Sequence, residues 1–406
     1  MVVYLDHAAT TPMLPDAIRA YADALGVVGN PASIHSQGQA AKRMLEEGRE
    51  QIAATLGCDP IEVVLTSGGT EAVNLAIKGI WWSRNRGAAR PVILAPGGEH
   101  HATIDTLEWL EQHEGAEIGW LPLDDDGLVR PAEVKAALGR YGDRVALVTL
   151  LWANNEVGTI QPVTEIAALA AASGVPVHVD AVAAYGYLDI DFRAVRDASG
   201  SAGGAGLVAM SVSAHKIGGP VGVGALVLSR SASIEPLLHG GGQQRQVRSG
   251  TQDVAGAVSF AVAAAFTTGR RADEAVRLAT LRDRLIDGIL TAVPSARLNG
   301  PAGGGRLPGN VHVAFAGCEG DSLLFLLDMA GVSVSTGSAC QAGIPEPSHV
   351  LRAMGRTELE ARGALRVTLG HTTSDSDIDA LLAALPGAYA QASRAGLSDR
   401  TTKLGA

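Results

Sequence analysis

The sequence predicts an α/β protein with a mainly parallel central sheet, and three features of the 406-residue chain support this prediction. Short apolar runs alternate with helix-like segments between about residues 60 and 230. Most of these runs are continuous rather than alternating, as is typical of strands that are buried on both faces. Hydrophobic residues make up 47% of the chain, which is enough to fill a large core.

The apolar runs are the predicted strands of the sheet, and amphipathic segments lie between them. The runs cover residues 62–66, 91–95, 145–151, 175–179, 207–212 and 223–228. The helix-like segments cover residues 71–82, 104–112, 131–138 and 164–172. Because a helix between two strands returns the chain to the same end of the sheet, this order favours parallel pairing.

The remainder of the chain predicts a smaller α+β unit. A long helical stretch at 254–293 is followed by a loop at 294–309 that is rich in Gly and Pro. Beyond this loop, strands are predicted at 310–315, 332–335 and 364–369, and helices at 321–329 and 375–385.

Charge and cysteine content exclude several classes of protein. The net charge of −10 argues against a protein that binds nucleic acids or anionic membranes in general. The most apolar uncharged stretch, 254–269, is shorter than the ~20 residues that a membrane span needs, and no signal peptide is expected. The three cysteines, Cys58, Cys318 and Cys340, cannot form a disulfide framework, which favours a reducing, cytoplasmic location.

Lys216 and Asp180 lie at the predicted ends of two strands. Lys216 follows the run 207–212, and ligands of open α/β sheets gather at the carboxyl ends of the strands. An amine at such an edge can form a Schiff base with pyridoxal phosphate (PLP), and a buried carboxylate is a good partner for its protonated pyridine nitrogen. The alternatives are a lysine that caps a surface loop and an aspartate that caps a helix.

Two further segments have the composition of binding or reactive loops. TSGGTE at 66–71 lies between a strand and a helix, where backbone N–H groups can hold an anion, although an ordinary capped turn is the alternative. STGSACQAG at 335–343 is small, rich in Gly and exposes Cys340; such a loop can move, and an accessible thiolate is a nucleophile. Cys58, at a predicted helix end, and Cys318, in a Gly-flanked turn, suit structural roles.

These motifs, in this order and spacing, resemble the group I cysteine desulfurases (NifS/IscS type), which are PLP enzymes of the class V aminotransferase fold. The resemblance covers about residues 3–385. Its motifs are YLDHAATTP (4–12), GNPAS (29–33), TSGGTE (66–71), EH (99–100), NNEVG (154–158), HVDA (178–181), SAHK (213–216), RSGT (248–251) and STGSAC (335–340).

The resemblance implies a role for each candidate residue. Lys216 would form the Schiff base with PLP, Asp180 would pair with the pyridine nitrogen, and His100 would stack on the ring and carry protons. The phosphate would be held by Gly69, Thr70, Ser213 and His215, together with Thr251 from the other subunit of a homodimer. The remaining implied contacts are Asn155 near the ring hydroxyl or the substrate, Arg366 and Asn30 at the substrate carboxylate, and Cys340 as the sulfur acceptor.

The implied fold is the PLP-dependent transferase fold (fold type I), with a mainly parallel seven-stranded sheet in its large domain. Residues 15–260 are expected to form this PLP-binding domain. Residues 1–14 and 261–390 are expected to form a smaller α+β domain that carries the Cys340 loop, and residues 391–406 a flexible tail. One departure concerns Val182 and Ala183, where the family usually has Thr-Gln, so that a contact to the ring hydroxyl is missing. A milder departure is Gln244, in a run where the family usually has Glu.

The implied activity is the conversion of L-cysteine to L-alanine, with the sulfur held on Cys340 as a persulfide. The partners would be L-cysteine and a sulfur-acceptor protein, either an iron–sulfur scaffold or a tRNA thiolase, with no membrane or direct nucleic-acid contact. No metal site is expected, except that Cys340 could ligate an iron–sulfur cluster transiently. The alternatives are a selenocysteine lyase or an aminotransferase of the same fold, and a sulfur carrier without cofactor, which only Ala183 favours.

Overall fold

A seven-stranded β-sheet is the central element of the structure, a computed structural model that describes residues 2–337 and 347–398. The strands are β1 (Val3–Tyr4), β2 (Val63–Thr66), β3 (Val92–Pro96), β4 (Glu117–Leu121), β5 (Val145–Leu151), β6 (Pro176–Asp180), β7 (Gly206–Ser213), β8 (Gly224–Leu228), β9 (Arg297–Leu298), β10 (Asn310–Ala314), β11 (Val332–Ser333) and β12 (Ala364–Thr368). The α-helices are α1 (Pro15–Leu25), α2 (Ser36–Leu56), α3 (Gly69–Asn85), α4 (His101–Glu114), α5 (Pro131–Tyr141), α6 (Val163–Ala172), α7 (Phe192–Ala198), α8 (Val254–Ala292), α9 (Gly320–Met329), α10 (His349–Ala353), α11 (Glu358–Arg362) and α12 (Asp375–Ser398).

The strand order of the central sheet is β2–β8–β7–β6–β5–β3–β4. Strands β3 to β7 pair in parallel, and β8 runs antiparallel to both β2 and β7. The prediction of an α/β fold with a mainly parallel seven-stranded sheet is therefore confirmed. Strand β4 has no counterpart among the predicted apolar runs, because this edge strand carries a charge at Glu117 and leaves Trp120 48% exposed.

Helices α1 and α2 are also missing from the sequence-based prediction. Helix α2 packs on α8, and Gly48 lies at the contact between the two helices. A Cβ on Gly48 would lie 3.2 Å from the carbonyl oxygen of Ala257, so the two helices approach closely. The buried Leu45, Ile52 and Leu56 nevertheless give α2 the apolar periodicity of an amphipathic helix, so the sequence does carry a signal for it.

A second core lies around a three-stranded sheet of order β12–β10–β9. Helix α8 reaches both cores, with Phe260 in the core of the central sheet and Leu285 in the second. Helix α12 continues past residue 391, where a tail was expected, because side chains such as Ala392 are buried in the second core. No helix within the described ranges is both long and apolar enough to cross a membrane.

A turn of three consecutive left-handed residues lies beside the edge strand β2. Gln244, Arg245 and Gln246 have φ values of 49°, 60° and 63°, a conformation that costs an L-residue roughly 1–2 kcal/mol. The side chain of Gln244 counteracts part of this cost. Its Oε1 accepts a hydrogen bond from the Leu65 N–H (2.7 Å), and its Nε2 donates to the Leu65 carbonyl (2.8 Å). The turn is thereby fixed against the sheet.

Replacement of Gln246 by glycine is expected to stabilise the protein by about 1 kcal/mol, because glycine adopts a left-handed backbone without a Cβ clash. Gln246 is exposed, so little packing is lost. The measurement is the midpoint of urea-induced unfolding. Gln246→Ala is the control, since it keeps the Cβ and should give no such gain. An equal or lower midpoint in Gln246→Gly would contradict the assignment of strain to this turn.

Candidate active site

A cavity of about 450 Å³ opens at the carboxyl ends of the parallel strands. Its volume suits a small-molecule ligand. Most of the residues predicted for the site line this cavity: Gly69, Thr70, His100, Asn155, Asp180, Ser213, His215, Lys216 and Arg366. They come from loops and strand ends far apart in sequence, and the sheet brings them together.

One end of the cavity is the loop between β2 and α3, which we call the anion-binding loop because its backbone geometry suits an anion. Gly68 adopts φ 150°, and Gly69 begins helix α3, whose first N–H groups have no partner within the helix. A Cβ on Gly69 would lie 2.7 Å from Val182 Cγ2, so a larger residue would not fit there. Ser213 Oγ is buried, lines the cavity and has no hydrogen-bond partner among the described residues. This hydroxyl can therefore serve a bound anion.

An ion pair that the sequence does not reveal stabilises this loop. Arg248 Nε donates to Glu71 Oε1 (2.9 Å) and its Nη2 lies 3.3 Å from Oε2. The Ser67 N–H donates to the same carboxylate (2.7 Å). Charge and hydrogen bonds outweigh burial and lower the pKa of Glu71, so it stays ionised. The pair joins the anion-binding loop to the RSGT segment at 248–251.

Lys216 provides the amine of the site. Its Nζ donates to the carbonyl of Ala8 and to that of Ala9 (2.9 Å). Burial lowers the pKa of Lys216 to about 8, and the charge of Arg366 acts in the same direction. A substantial fraction of this amine is therefore neutral near physiological pH, and a neutral amine can act as a nucleophile or base.

Asp180 lies at the end of β6, where it is 3% exposed. Its Oδ1 accepts a hydrogen bond from the Val182 N–H (2.9 Å). Burial raises the pKa of Asp180 to about 6, although this hydrogen bond and Lys216 act in the opposite direction. A cation placed beside this carboxylate would hold it in its ionised form.

Buried side-chain hydrogen bonds join β6, which ends at Asp180, to its two neighbouring strands. Two residues before Asp180, His178 Nδ1 lies 2.9 Å from Thr149 Oγ1 in β5, and His178 Nε2 lies 2.8 Å from Ser211 Oγ in β7. Burial lowers the pKa of His178 to about 3, so its ring is neutral. The sequence motifs assign this histidine no separate role; in the structure it ties the central strands together beneath the cavity.

His100 is neutral as well. Its Nδ1 accepts a hydrogen bond from the Ala102 N–H (3.0 Å) at the start of α4, so the ring proton is on Nε2. His100 is exposed toward the open cavity, yet partial loss of hydration there, together with the neighbouring Lys216, lowers the pKa of His100 to about 4. A neutral ring suits stacking against a ligand and proton transfer through Nε2.

Arg366 is held in the cavity wall by two contacts. Its Nη2 pairs with Asp6 Oδ1 (3.0 Å), and its Nη1 donates to the carbonyl of Asn155 (3.1 Å). Its Nε is buried and has no partner within the described part of the chain. A ligand carboxylate can use this donor. Asp6 belongs to the YLDHAATTP motif, but sequence reasoning did not single it out.

The departure at Val182 and Ala183 lies in the cavity, since both residues line it. Neither side chain offers a hydrogen bond to a ligand. Asn155 Oδ1 lines the same cavity and is buried without a partner among the described residues. Asn155 is thus available for the ligand contact that Ala183 cannot make.

Two of the predicted site residues that the structure describes do not line this cavity. Asn30 and Thr251 are exposed and do not line it. Cys340 lies outside the described residues, so its prediction stands on the sequence alone. Cys58 and Cys318 are buried free thiols, and burial raises their pKa to about 12 and about 11. Such thiols are unreactive, as expected for structural cysteines.

These groups fit PLP. Ser213 Oγ and Asn155 Oδ1 are buried polar atoms that line the cavity and have no partner among the described residues, as in a site made for a polar ligand. The anion-binding loop suits a phosphate, Asp180 a protonated ring nitrogen, and Lys216 an aldehyde. Within the same ranges, no group of three or more His, Cys, Asp or Glu residues could hold a metal ion.

Comparison with known proteins gives consistent results. Residues 3–381 match the family model "Aminotransferase class-V". An IscS-like cysteine desulfurase from Mycobacterium tuberculosis is 50% identical, over 98% of both chains. A solved NifS-like protein has a TM-score of 0.86 at 30% identity, over 96% of this chain and 100% of its own. A solved SspA in complex with cysteine has a TM-score of 0.76 at 30% identity, over 90% of this chain and 98% of its own.

Proposed function

The chain belongs to the class-V aminotransferase family and is a PLP-dependent cysteine desulfurase, and from this premise we propose which of its residues carry the reaction. The observation that carries the assignment is one cavity that holds the amine of Lys216, the carboxylate of Asp180 and the guanidinium of Arg366. An amino acid substrate needs a carboxylate receptor and a base, and its cofactor needs an amine and an anionic partner.

We assign the cofactor-holding residues as follows. Gly69, Thr70, Ser213 and His215 bind the phosphate, and His100 stacks on the ring. Asp180 pairs with the ring nitrogen, and Asn155 supplies the hydrogen bond that the side chain of Ala183 cannot form. When bound, PLP supplies an electron sink that stabilises negative charge on the α-carbon of the substrate.

Lys216 moves the α-proton of the substrate. Its pKa of about 8 leaves enough neutral amine near neutral pH to accept a proton from carbon and return it. The carbonyls of Ala8 and Ala9 keep Nζ inside the cavity. His100 Nε2 is a second proton carrier, since the ring is neutral.

Arg366 orients the substrate through its carboxylate. Asp6 and the Asn155 carbonyl hold two of its nitrogens, so the guanidinium is fixed before substrate arrives. The unpartnered Nε then donates to the carboxylate. A fixed donor costs less entropy on binding than a free side chain.

Cys340 receives the sulfur. Its thiolate attacks the substrate sulfur, so that a new S–S bond forms while the Cβ–S bond breaks and its electron pair stays with the substrate carbon. After protonation of that carbon, L-alanine leaves and Cys340 carries a persulfide. Cys58 and Cys318 are unsuited to this role, because both are buried.

The direct test of the function is an assay of the purified protein with L-cysteine. We expect equimolar L-alanine and sulfide in the presence of a thiol reductant, and an absorbance band from bound PLP. L-Selenocysteine is the comparison substrate. Amino transfer to a keto acid without alanine release would indicate an aminotransferase instead, and turnover of selenocysteine alone would indicate a selenocysteine lyase.

We propose that the active form is a homodimer. Thr251 is expected at the phosphate and Asn30 at the substrate carboxylate. Both residues are nevertheless exposed, and neither lines the cavity. Large apolar side chains are also exposed, with Val28 at 82%, Ile34 at 93% and Val221 at 77%. A second copy that covers such residues would explain both facts. Light scattering after size exclusion should give twice the chain mass of 41.6 kDa.

The sulfur acceptor is proposed to be a protein, either an iron–sulfur scaffold or a tRNA thiolase. The support is the name IscS-like cysteine desulfurase of the Mycobacterium relative. Transfer of labelled sulfur from the loaded enzyme to each purified acceptor would distinguish the two.

A cytoplasmic location is proposed too, since the described cysteines are free thiols, as in a reducing compartment.

Uptake of PLP by cofactor-free protein is expected to accelerate as the pH rises through about 8. The reason is the lowered pKa of Lys216, because only the neutral amine attacks an aldehyde. The measurement is the rate at which the absorbance band of bound PLP develops at each pH. A midpoint near the ordinary lysine pKa of about 10.4 would contradict the environment described for Lys216.

A further inference from the structure

Glu156 is a buried acid that the reaction described above does not use. It is 2% exposed and lies in the NNEVG loop after β5, beside Asn155. A buried carboxyl group costs free energy unless hydrogen bonds compensate for lost hydration. Its Oε2 accepts a hydrogen bond from Ser348 Oγ (2.5 Å), and Ser348 is itself 1% exposed.

The same oxygen also faces Gly337. A Cβ on Gly337 would lie 3.4 Å from Glu156 Oε2 and 3.2 Å from His312 Nε2. Gly337 has φ +87°, which a larger residue would adopt only under strain. Gly337 and Ser348 flank the part of the chain that carries Cys340. Glu156 thus hydrogen-bonds to one flank, at Ser348, and lies near the other, at Gly337, although these residues are 11 positions apart in sequence.

His312 also lies near Gly337. Asn299 Nδ2 lies 3.1 Å from His312 Nδ1, and an amide nitrogen can only donate, so the ring proton is on Nε2. His312 is fully buried, and this Nε2 has no partner among the described residues. Burial lowers the pKa of His312 to about 3, so the ring stays neutral.

Several hydrogen bonds hold the loop that carries Glu156. Asn154 Oδ1 accepts hydrogen bonds from the N–H groups of Glu156 and Val157 (2.9 Å each), and Asn310 Nδ2 donates to the Glu156 carbonyl (2.8 Å). The next carbonyl toward the N-terminus, that of Asn155, binds Arg366. The loop therefore joins Ser348, which follows Cys340 in the chain, to Arg366, the proposed receptor of the substrate carboxylate.

We propose that Glu156 is a positioning residue for sulfur transfer, because its carboxylate holds Ser348, on the C-terminal side of Cys340, against the loop that contacts Arg366. This inference rests on the proposed role of Cys340. It assigns to Glu156 and Ser348 the placement of the thiol, and leaves binding of cofactor and substrate to the cavity residues. A misplacement of about 1 Å can lower a rate about 100-fold.

The test compares Glu156→Ala and Ser348→Ala with the wild type. Both should lower kcat for alanine formation about 100-fold, while the KM for L-cysteine and the PLP absorbance stay unchanged. Mass spectrometry of Cys340 after one turnover should show slower addition of a sulfur atom. Ser348→Thr should restore kcat, because it keeps a hydroxyl that can donate to Glu156.

Ser348 also caps helix α10 through the Leu351 N–H, so a matched control is needed. Thr357→Ala removes the equivalent cap from α11, which has the same length and lies outside the cavity. This variant should lose stability without losing kcat. The inference is overturned if kcat of Glu156→Ala and Ser348→Ala equals that of the wild type, or if kcat, KM and PLP binding deteriorate together. Full activity of Cys340→Ser would overturn the assignment of the thiol, and this inference with it.

Discussion

Lys216→Ala is expected to lower turnover of L-cysteine by a factor on the order of 10⁴, the upper range for loss of a positioned acid–base group. The amine has two tasks in the proposed reaction, attachment of the cofactor aldehyde and movement of the α-proton. No other lysine can substitute, because Lys216 is the lysine that lines the cavity within the described ranges. The measurements are alanine release and the absorbance band of the attached cofactor.

Two further variants test whether turnover needs the amine of Lys216 itself rather than a positive charge or any partly buried lysine. Lys216→Arg keeps a cation in the cavity but should be equally inactive, since a guanidinium remains protonated. Lys78→Ala removes a lysine whose pKa is also lowered by burial, but which lies over Trp109 and not at the cavity. It should turn over normally. Activity of Lys216→Arg close to that of the wild type would refute the proton-transfer role.

Cys340→Ser is expected to abolish sulfur transfer while PLP stays bound. A serine hydroxyl is far less nucleophilic than a thiolate, so alanine formation should fall at least roughly 1,000-fold, as is typical when a covalent nucleophile is removed. The variant should still show the PLP absorbance band and still bind L-cysteine. Persulfide analysis by mass spectrometry checks the fate of the sulfur.

Cys318→Ala is the control for this loss. Cys318 is 3% exposed in the second core, and burial raises the pKa of its thiol, so turnover should persist even if stability drops. Wild-type rates of alanine and sulfide release from Cys340→Ser would show that the assigned nucleophile is wrong.

The main sheet could be predicted from sequence because its strands are buried on both faces. The continuous apolar runs at 145–151 and 207–212 are too hydrophobic to be expected at the surface, and they correspond to β5 and β7. Strand β4 could not be predicted in this way, because it is an edge strand with an exposed Trp120. Helix α2, in contrast, has Leu45, Ile52 and Leu56 at helical spacing, so its pattern was available in the sequence outside the region of alternating strands and helices.

The cavity residues could be predicted where a motif places a reactive group at a strand end, as for Asp180 and Lys216. Asp6 and Glu156 belong to recognisable motifs, yet their contacts join segments that are distant in sequence. Asp6 pairs with Arg366 across 360 residues, and Glu156 with Ser348 across 192. One sequence without a fold gives no sign of such pairs. Cys340, in contrast, depends on its motif alone.

The side-chain amide of Gln244 also has a bearing on solubility. The outer edge of β2 would otherwise expose unpaired backbone N–H and C=O groups. Such exposed edges promote strand pairing between molecules. Gln244 occupies both groups of Leu65, and Arg49 Nη1 occupies the Val63 carbonyl (2.5 Å). Concentrated solutions of Gln244→Ala should consequently form β-rich aggregates sooner than those of the parent protein.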